Sequence, residues 1–257
     1  MGYKAIFKKQ TKLIIKNPTI LVSFALFPAV AFLISLFIDF DSMTAGMEYL
    51  DGMSYEMVVT IRTMMEGTMP NLTTMMANMF AGMALIPVVA GFIAEDIEKK
   101  SLRFLMMAGV KPMPYLLGVG NVVFVAAFFS TIAFAFIDGF YGVNFWIFIG
   151  AMMSGVAGSI VLGATIGILA KNQQAASSLA MPAAMLFGVG PMIAQFNDTV
   201  ANGLRFIYTQ QLNVVADYLN GVSADIPLWQ SFAIMWANVL VLGVLFAVVY
   251  KAKGLKR

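Results

Sequence analysis

The residues best suited to chemistry or to binding a partner are six charged side chains within nine positions, between two long uncharged runs. They are Glu95, Asp96, Glu98, Lys99, Lys100 and Arg103. Glu95 lies four residues before Lys99, the favourable order for an ion pair along a helix, and Asp96 and Lys100 repeat that spacing. Apolar residues recur between them at helical intervals, and Gly109 and Pro112 end the pattern. The spacing predicts a short amphipathic helix within residues 95–111 that turns charges outward.

The composition is that of an integral membrane protein. Of 257 residues, 60% are hydrophobic and 11% are charged, whereas soluble domains carry about 25% charged residues. The absence of cysteine and histidine excludes disulfides, thiol chemistry and the commonest zinc sites. Carboxylates are confined to the segments outside the apolar runs, so the sequence predicts neither a catalytic site nor a metal site, and the chain is interpreted as a non-enzyme.

Six apolar runs are long enough to cross a membrane, which takes roughly 20 helical residues. The predicted spans are 19–38, 74–94, 116–137, 145–170, 175–196 and 229–250. No alternating strand pattern interrupts them. The sequence therefore predicts an all-α integral membrane protein, with a single domain over residues 1–257 and six transmembrane helices.

The basic residues give the orientation of these spans. Fourteen of the sixteen lysines and arginines lie before the first span, after the second, after the fourth or after the sixth, whereas Arg62 and Arg205 fall on the opposite side. By the positive-inside rule, both termini are cytoplasmic. The outer segments are then 39–73 and 197–228. The net charge of +3 is explained by this topology, and no nucleic-acid partner is predicted.

The first eighteen residues predict an amphipathic helix that lies at the inner membrane interface. Lys4, Lys8 and Lys12 are four residues apart, and apolar residues fill much of the remaining surface. Pro18 disfavours helical geometry at Asn17 and should interrupt the helix there. The lysines would face anionic lipid, and contact with a cytoplasmic partner remains an alternative role.

The stretch AGFIAEDIEKKSLRFLMMAGVKPMPYLLG, residues 90–118, resembles a pattern of the ABC transporter type 2 permease family. Glu95 falls on the acidic position of that family, Ser101-Leu102 on its threonine-leucine, and residues 108–110 on its alanine-proline-valine turn. The six spans and the amphipathic amino-terminal helix are similar to the architecture of the family. The chain departs from the pattern at Asp96-Ile97 and at Val119, where the family often has arginine-glutamate and lysine.

The resemblance implies the membrane subunit of an ABC exporter in the bacterial cytoplasmic membrane. The charged helix would be a coupling helix that contacts an ATPase subunit through Glu95, Asp96, Glu98, Lys99, Lys100, Ser101 and Arg103. Two ATPase copies would bind ATP and Mg²⁺, because this chain has no phosphate-binding G-x-x-x-x-G-K-[ST] loop. A second permease chain, identical or paralogous, would complete the complex. The substrate-binding residues are not identifiable, but a path without charges favours a hydrophobic or amphipathic cargo.

Two other functions remain open on the residues alone. An ion-coupled secondary transporter usually places ionisable groups at membrane depth, and the predicted spans have essentially none in their interiors. A membrane anchor without transport activity needs no such groups. The methionines of the first outer segment could serve as soft Cu(I) ligands or, more simply, as an adaptable apolar surface. The rows of small residues that include Gly163 and Gly167 predict close helix packing, within one chain or between two.

Overall fold

The computed structural model describes residues 2–37, 71–195, 197–221 and 226–255, and these residues are almost entirely helical. A π-helical turn, Phe80–Ala84, joins α3 to α4. The helices are α1 Gly2–Lys16, α2 Pro18–Phe37, α3 Asn71–Met79, α4 Leu85–Glu98, α5 Ser101–Met107, α6 Pro112–Ile137, α7 Gly142–Leu169, α8 Gln173–Gly188, α9 Gly190–Ala194, α10 Asp198–Leu204, α11 Tyr208–Leu219 and α12 Leu228–Leu255.

Within the described residues, six helical stretches are long and apolar enough to span a membrane, which confirms the predicted number. They are Ile20–Phe37, Thr73–Glu98, Pro112–Ile137, Gly142–Leu169, Gln173–Ala194 and Leu228–Lys253. The largest differences from the sequence-based bounds are four residues. The second span continues as a helix to Glu98 rather than ending at residue 94, and the third begins at Pro112 rather than at residue 116. The methionine-rich part of the first outer segment, residues 39–70, lies outside the described residues.

The second and fourth spans form the buried centre of the bundle, because α4 and α7 approach each other at backbone distance. A Cβ atom added at Gly163 would lie 2.6 Å from the carbonyl oxygen of Ile86, and one at Gly167 would lie 2.6 Å from that of Ala90. Only glycine permits this contact, as expected for helices that associate in lipid through small residues. The row of small residues therefore packs within one chain, which is the first of the two alternatives that the sequence left open.

An aromatic cluster holds α2 and α6 against the π-helical turn. Phe80 is fully buried, and the centroid of its ring lies 5.9 Å from that of Phe24 and 5.8 Å from that of Phe134. The turn lies immediately before Pro87, which has no N–H to donate to the carbonyl of Met83 in a regular α-helix. A widened turn of this kind accommodates an interruption of the helical hydrogen-bond ladder.

Helix α1 forms where the sequence predicted a helix, and Asn17 separates it from α2. Ile6, Gln10 and Ile14 are buried and are four residues apart, so they form one face that packs against α6. Lys8 and Lys12 are exposed on the remaining surface. The helix is thus part of the packed bundle as well as a carrier of positive charge.

The basic residues gather at one end of the bundle, called here the basic end. This end is defined by contacts between five parts of the chain. They are α1, the turn after α4, the beginning of α6, the connection from α7 to α8 and the last turns of α12. Its described cations are Lys8, Lys9, Lys12, Lys16, Lys99, Lys100, Arg103, Lys111, Lys171, Lys251 and Lys253. These eleven basic residues, which the sequence assigned to one side, therefore lie at one end of the described bundle.

Candidate functional site: the charged elbow and the Asp96 cluster

The predicted charged helix is two helices joined by a turn, and residues 95–107 are called here the elbow. Helix α4 ends at Glu98, and α5 begins at Ser101. Between them, Lys100 adopts a left-handed backbone conformation with φ 58°, which costs a non-glycine residue about 1–2 kcal/mol. The prediction of one continuous helix is wrong at this point, because a left-handed residue ends the helical hydrogen-bond ladder.

Helix α5 ends in a Schellman motif, as the sequence predicted from its glycine. The N–H of Val110 donates to the carbonyl of Leu105 at 3.0 Å, and the N–H of Gly109 donates to that of Met106 at 3.0 Å. Gly109 has φ +75°, a conformation that glycine adopts without strain. Helix α5 is therefore a short helix between two left-handed residues, Lys100 and Gly109.

Asp96 is the centre of the elbow, and its side chain is only 2% exposed. Lys9 of α1 forms an ion pair with its Oδ1, and the Ser101 hydroxyl lies 2.9 Å from the same oxygen. The Tyr115 hydroxyl of α6 donates to Oδ2 at 3.0 Å. These four residues, called here the Asp96 cluster, satisfy a buried carboxylate on both oxygens, as a charge at a low-dielectric position requires. The cluster fastens four helices, α1, α4, α5 and α6, to one point.

The predicted pairing of acids with bases is half correct. Lys99 forms the expected i,i+4 ion pair with Glu95, and hydrogen bonding to this carboxylate raises the pKa of Lys99. Asp96 does not pair with Lys100, because the left-handed turn removes Lys100 from the helical register. Asp96 was also expected to contact an ATPase subunit, but its carboxylate is buried against Lys9 and is not available at the surface.

The other three charged residues predicted for the site, Glu98, Lys100 and Arg103, are all exposed but contact different parts of the chain. Glu98 is exposed, and its Oε2 accepts a hydrogen bond from the backbone N–H of Gln173 at 3.2 Å, which connects the elbow to the start of α8. Lys100 and Arg103 are exposed and line a cavity beside α12. The charged residues of the elbow thus divide between internal fastening and the surface.

The outer face of α5 is more apolar than the sequence suggested. Leu102 is buried beneath the helix, whereas Phe104 is 65% exposed and Met107 is 64% exposed. Arg103, between Leu102 and Phe104 in the sequence, is also exposed. A short helix that presents an aromatic ring, a thioether and a guanidinium has the side chains that are enriched at protein interfaces.

Two residues of the Asp96 cluster were not among the predicted site residues. Lys9 was interpreted as one of several interfacial lysines, and Tyr115 follows Pro112 and Pro114 at the start of a span. Neither has a local signal, because both reach Asp96 only through the tertiary fold, across 87 and 19 residues. A buried tyrosine hydroxyl usually has a hydrogen-bond partner. That rule points to a partner for Tyr115 only when the structure shows that Tyr115 is buried.

Helix α12 is fixed to the same end of the bundle. The ammonium of Lys253 donates to the carbonyl of Ala170 at 3.0 Å and also to that of Ile168, at the carboxyl end of α7, where a cation is favoured by the helix dipole. The Tyr250 hydroxyl donates to the carbonyl of Val110 at 3.1 Å, directly after α5. Movement of α5 would therefore also pull on the last span through this hydrogen bond.

At the other end, part of the second outer segment enters the bundle. Tyr208, the first residue of α11, is fully buried, and its hydroxyl lies 2.8 Å from that of Ser159 in α7. The side chain of Asn238 donates to the carbonyl of Phe206 at 2.8 Å. Asn238 is ten residues into α12, or about 15 Å along its axis. The sequence left open whether this segment returns into the membrane, and these contacts place its residues 206–208 beside the middle of two spans.

The same contacts define the surroundings of Arg205. The sequence assigned Arg205 to the outer segment 197–228, where it directly precedes Phe206, whose carbonyl lies beside the middle of α12. The carbonyl of Arg205 accepts a hydrogen bond from the side chain of Gln211. One exposed arginine therefore lies next to a residue that contacts the middle of α12, a position that the distribution of charge along the sequence does not reveal.

No protein-family model matches the chain, and a search of curated proteins finds no match.

Proposed function

We propose that the chain is the transmembrane subunit of an ATP-binding-cassette exporter, with the elbow as the element that receives movement from an ATPase subunit. The single observation that supports this best is the Asp96 cluster. A lever must be rigidly joined to what it moves, and one buried carboxylate joins α5 to α1, α4 and α6. A turn that was only solvated would not need a buried and fully bonded ion pair.

In this proposal the basic end faces the cytoplasm, as the positive-inside rule requires, and both termini lie on that side. The exposed Phe104 of α5 enters a groove on the ATPase, while Glu95 and Lys99 form the rim of the contact. Glu98 and Lys100 flank it. Two ATPase subunits supply ATP and Mg²⁺, and a second permease chain completes the transporter in a bacterial cytoplasmic membrane. The cargo is hydrophobic or amphipathic.

The test is purification of the full-length chain from its native host in mild detergent, followed by reconstitution into nanodiscs and measurement of ATP hydrolysis. Wild type is compared with Phe104→Ala, whose ring is 65% exposed on α5, and with Phe129→Ala, whose ring is 67% exposed on α6 away from the elbow. The elbow variant should lose the accompanying ATPase, whereas the Phe129 variant should retain it. A monodisperse wild-type preparation with no ATPase would reject the exporter and favour an ion-coupled transporter or an anchor.

A further inference from the structure

A cavity of about 580 Å³ opens between the elbow and the end of α12. This volume falls in the range typical of small-molecule sites, roughly 300–1,000 Å³. The cavity is lined by Ile97, Lys100, Leu102, Arg103, Met106, Met107 and Lys253. Ile97 and Lys253 lie at the very ends of the second and sixth spans, so the cavity lies at the level where hydrocarbon gives way to headgroups.

The lining combines three cations with an apolar wall. Lys100 comes from the turn after α4, Arg103 from α5 and Lys253 from α12, and none of the described residues that line the cavity is acidic. Three cationic side chains from separate elements thus line one cavity. This donor set suits a phosphate, which Arg binds in a bidentate manner and Lys as a point charge.

One of these cations is held in place by the backbone. The ammonium of Lys253 is fastened to the carbonyls of Ile168 and Ala170. A charge that is positioned before the ligand arrives loses less conformational entropy on binding than a free surface lysine.

The apolar wall selects between ligands that carry a phosphate. Leu102, Met106 and Met107 would contact an aliphatic chain, which a soluble phosphate lacks, and methionine adapts its shape to flexible ligands. We propose that this cavity binds an anionic phospholipid, with its phosphate at Lys100, Arg103 and Lys253 and the first part of an acyl chain against the methionines. This inference goes beyond the proposed transport function and does not depend on it.

The consequence is that a lipid fills the space between the elbow and the last span. A ligand that binds only the assembled cavity stabilises it by mass action. Phosphatidylglycerol should therefore hold α5 in its position against α12, and a bilayer without anionic lipid should leave this contact weaker.

The experiment is native mass spectrometry of the detergent-solubilised full-length chain with phosphatidylglycerol, phosphatidylcholine or glycerol 3-phosphate. Wild type is compared with Lys100→Gln/Arg103→Gln. The control, Lys8→Gln/Lys171→Gln, removes two exposed charges from the same basic end but outside the cavity. A third variant, Met106→Trp, fills the apolar wall without changing the charge.

Wild type should retain one phosphatidylglycerol per chain in preference to the other two ligands. The cavity variant should bind it about 30-fold more weakly, because each basic residue near an anionic headgroup contributes roughly 1 kcal/mol, and Met106→Trp should also weaken binding. The control should stay within about threefold of wild type, because only non-specific attraction is reduced.

Equal retention by wild type and the cavity variant would overturn the proposal, as would an equal loss in the control. Binding of glycerol 3-phosphate as tight as that of phosphatidylglycerol would make the cavity a soluble-phosphate site and reject the lipid. Loss of an accompanying protein from the cavity variant, with phosphatidylglycerol retained, would make it a protein contact instead. All three variants must elute as monodisperse protein with wild-type thermal stability, and a pair that fails is replaced by the single substitutions.

Discussion

Lys9 and Asp96 form an ion pair that joins the amino-terminal helix to the end of the second span, 87 residues later in the chain. The two partners differ in environment, since the Lys9 side chain is 42% exposed and that of Asp96 is 2% exposed. The carboxylate depends on the pair more than the ammonium does, because water can still solvate the lysine. Asp96 also holds Ser101 and Tyr115, so this carboxylate organises the elbow.

Removing the ammonium should therefore destabilise the protein more than removing the carboxylate. Lys9→Met leaves the buried carboxylate without its counter-ion and should lower the free energy of unfolding by about 3 kcal/mol. Asp96→Ala leaves the fully buried Tyr115 hydroxyl without its acceptor but leaves Lys9 in contact with water, and should lower it by about 2 kcal/mol. Unfolding by SDS in mixed micelles, followed by tryptophan fluorescence, measures both.

A double-mutant cycle with Lys9→Met and Asp96→Asn isolates the pair itself. Contacting charged residues typically couple by about 0.5–3 kcal/mol, and a value near 1 kcal/mol is expected. Lys8→Met, on the exposed face of α1, serves as the control and should show no coupling to Asp96→Asn. Additive effects of the Lys9 and Asp96 substitutions would show that the pair does not stabilise the elbow.

The glycine contacts between α4 and α7 make a second prediction. Gly163→Ala places a Cβ atom 2.6 Å from the carbonyl oxygen of Ile86, which cannot yield as a flexible side chain would. The helices must separate, and overpacking of this kind costs about 1–3 kcal/mol. Gly91→Ala on α4 is the matched control, because no atom lies within 4 Å of its added Cβ. It should be neutral or stabilising. SDS unfolding of both variants tests the prediction, and equal effects would contradict it.

Much of the fold was predictable because membrane spans obey simple rules. A run of apolar residues without charges must be helical in lipid, so the six spans and the helix at residues 2–16 follow from composition and periodicity. The continuity of the second span with residues 95–98 was missed, because charge was taken to mark the end of a span and the start of a separate exposed helix. In fact Asp96 belongs to the same helix and is buried, since Lys9 and Tyr115 are supplied to it by other elements.

The candidate site was predictable in its location but not in its internal connections. Residue spacing indicated the Glu95–Lys99 pair, which depends only on local geometry. It could not indicate the left-handed turn at Lys100, because a non-glycine residue with positive φ has no sequence signature. The convergence of Lys253 with Lys100 was also invisible, since more than 150 residues separate them and only the packing of α12 brings them to one cavity.

A third prediction concerns the dependence of stability on pH. Burial raises the pKa of the Asp138 carboxyl, which directly follows α6, to about 7, although a hydrogen bond with Thr73 partly opposes this shift. The unfolded value is about 3.9. Between these two values the folded chain binds a proton that the unfolded chain does not, so stability falls as pH rises from about 4 to about 7 and is constant above. The total effect is on the order of 4 kcal/mol.

Asp138→Asn should remove this dependence, because the amide does not ionise. The variant should equal wild type in stability near pH 4 and exceed it at pH 8. The difference between the two thermal unfolding profiles, recorded from about pH 4 to about pH 8 in the same detergent, isolates Asp138 from other groups that titrate. Glu98→Gln, at an exposed carboxylate, should keep the wild-type slope. Parallel profiles for wild type and Asp138→Asn would show that Asp138 stays ionised in the folded protein.

The depth of the segment before α11 can be measured directly, because the chain has no cysteine and any introduced cysteine is the single attachment point for a label. Phe206 is 70% exposed, and its carbonyl is bonded to Asn238, about 15 Å from the start of α12. In a hydrocarbon core about 30 Å thick, a fluorophore on Phe206→Cys should lie near the centre of the bilayer. It should therefore be quenched more strongly by lipids with a nitroxide at the end of the acyl chain than by lipids with one at the headgroup.

Tyr141→Cys provides the reference depth for this measurement. Tyr141 is also 70% exposed, but it directly precedes α7 and lies at the end of two spans, so its label should show the opposite preference, with the stronger quenching by headgroup nitroxides. If both labels prefer the headgroup quencher, the segment lies on the surface, and the hydrogen bond from Asn238 to the carbonyl of Phe206 does not form in the bilayer. A central position for Phe206 would place Arg205 within one residue of the bilayer centre, where an exposed guanidinium needs water, a second chain or an anionic group to offset its desolvation.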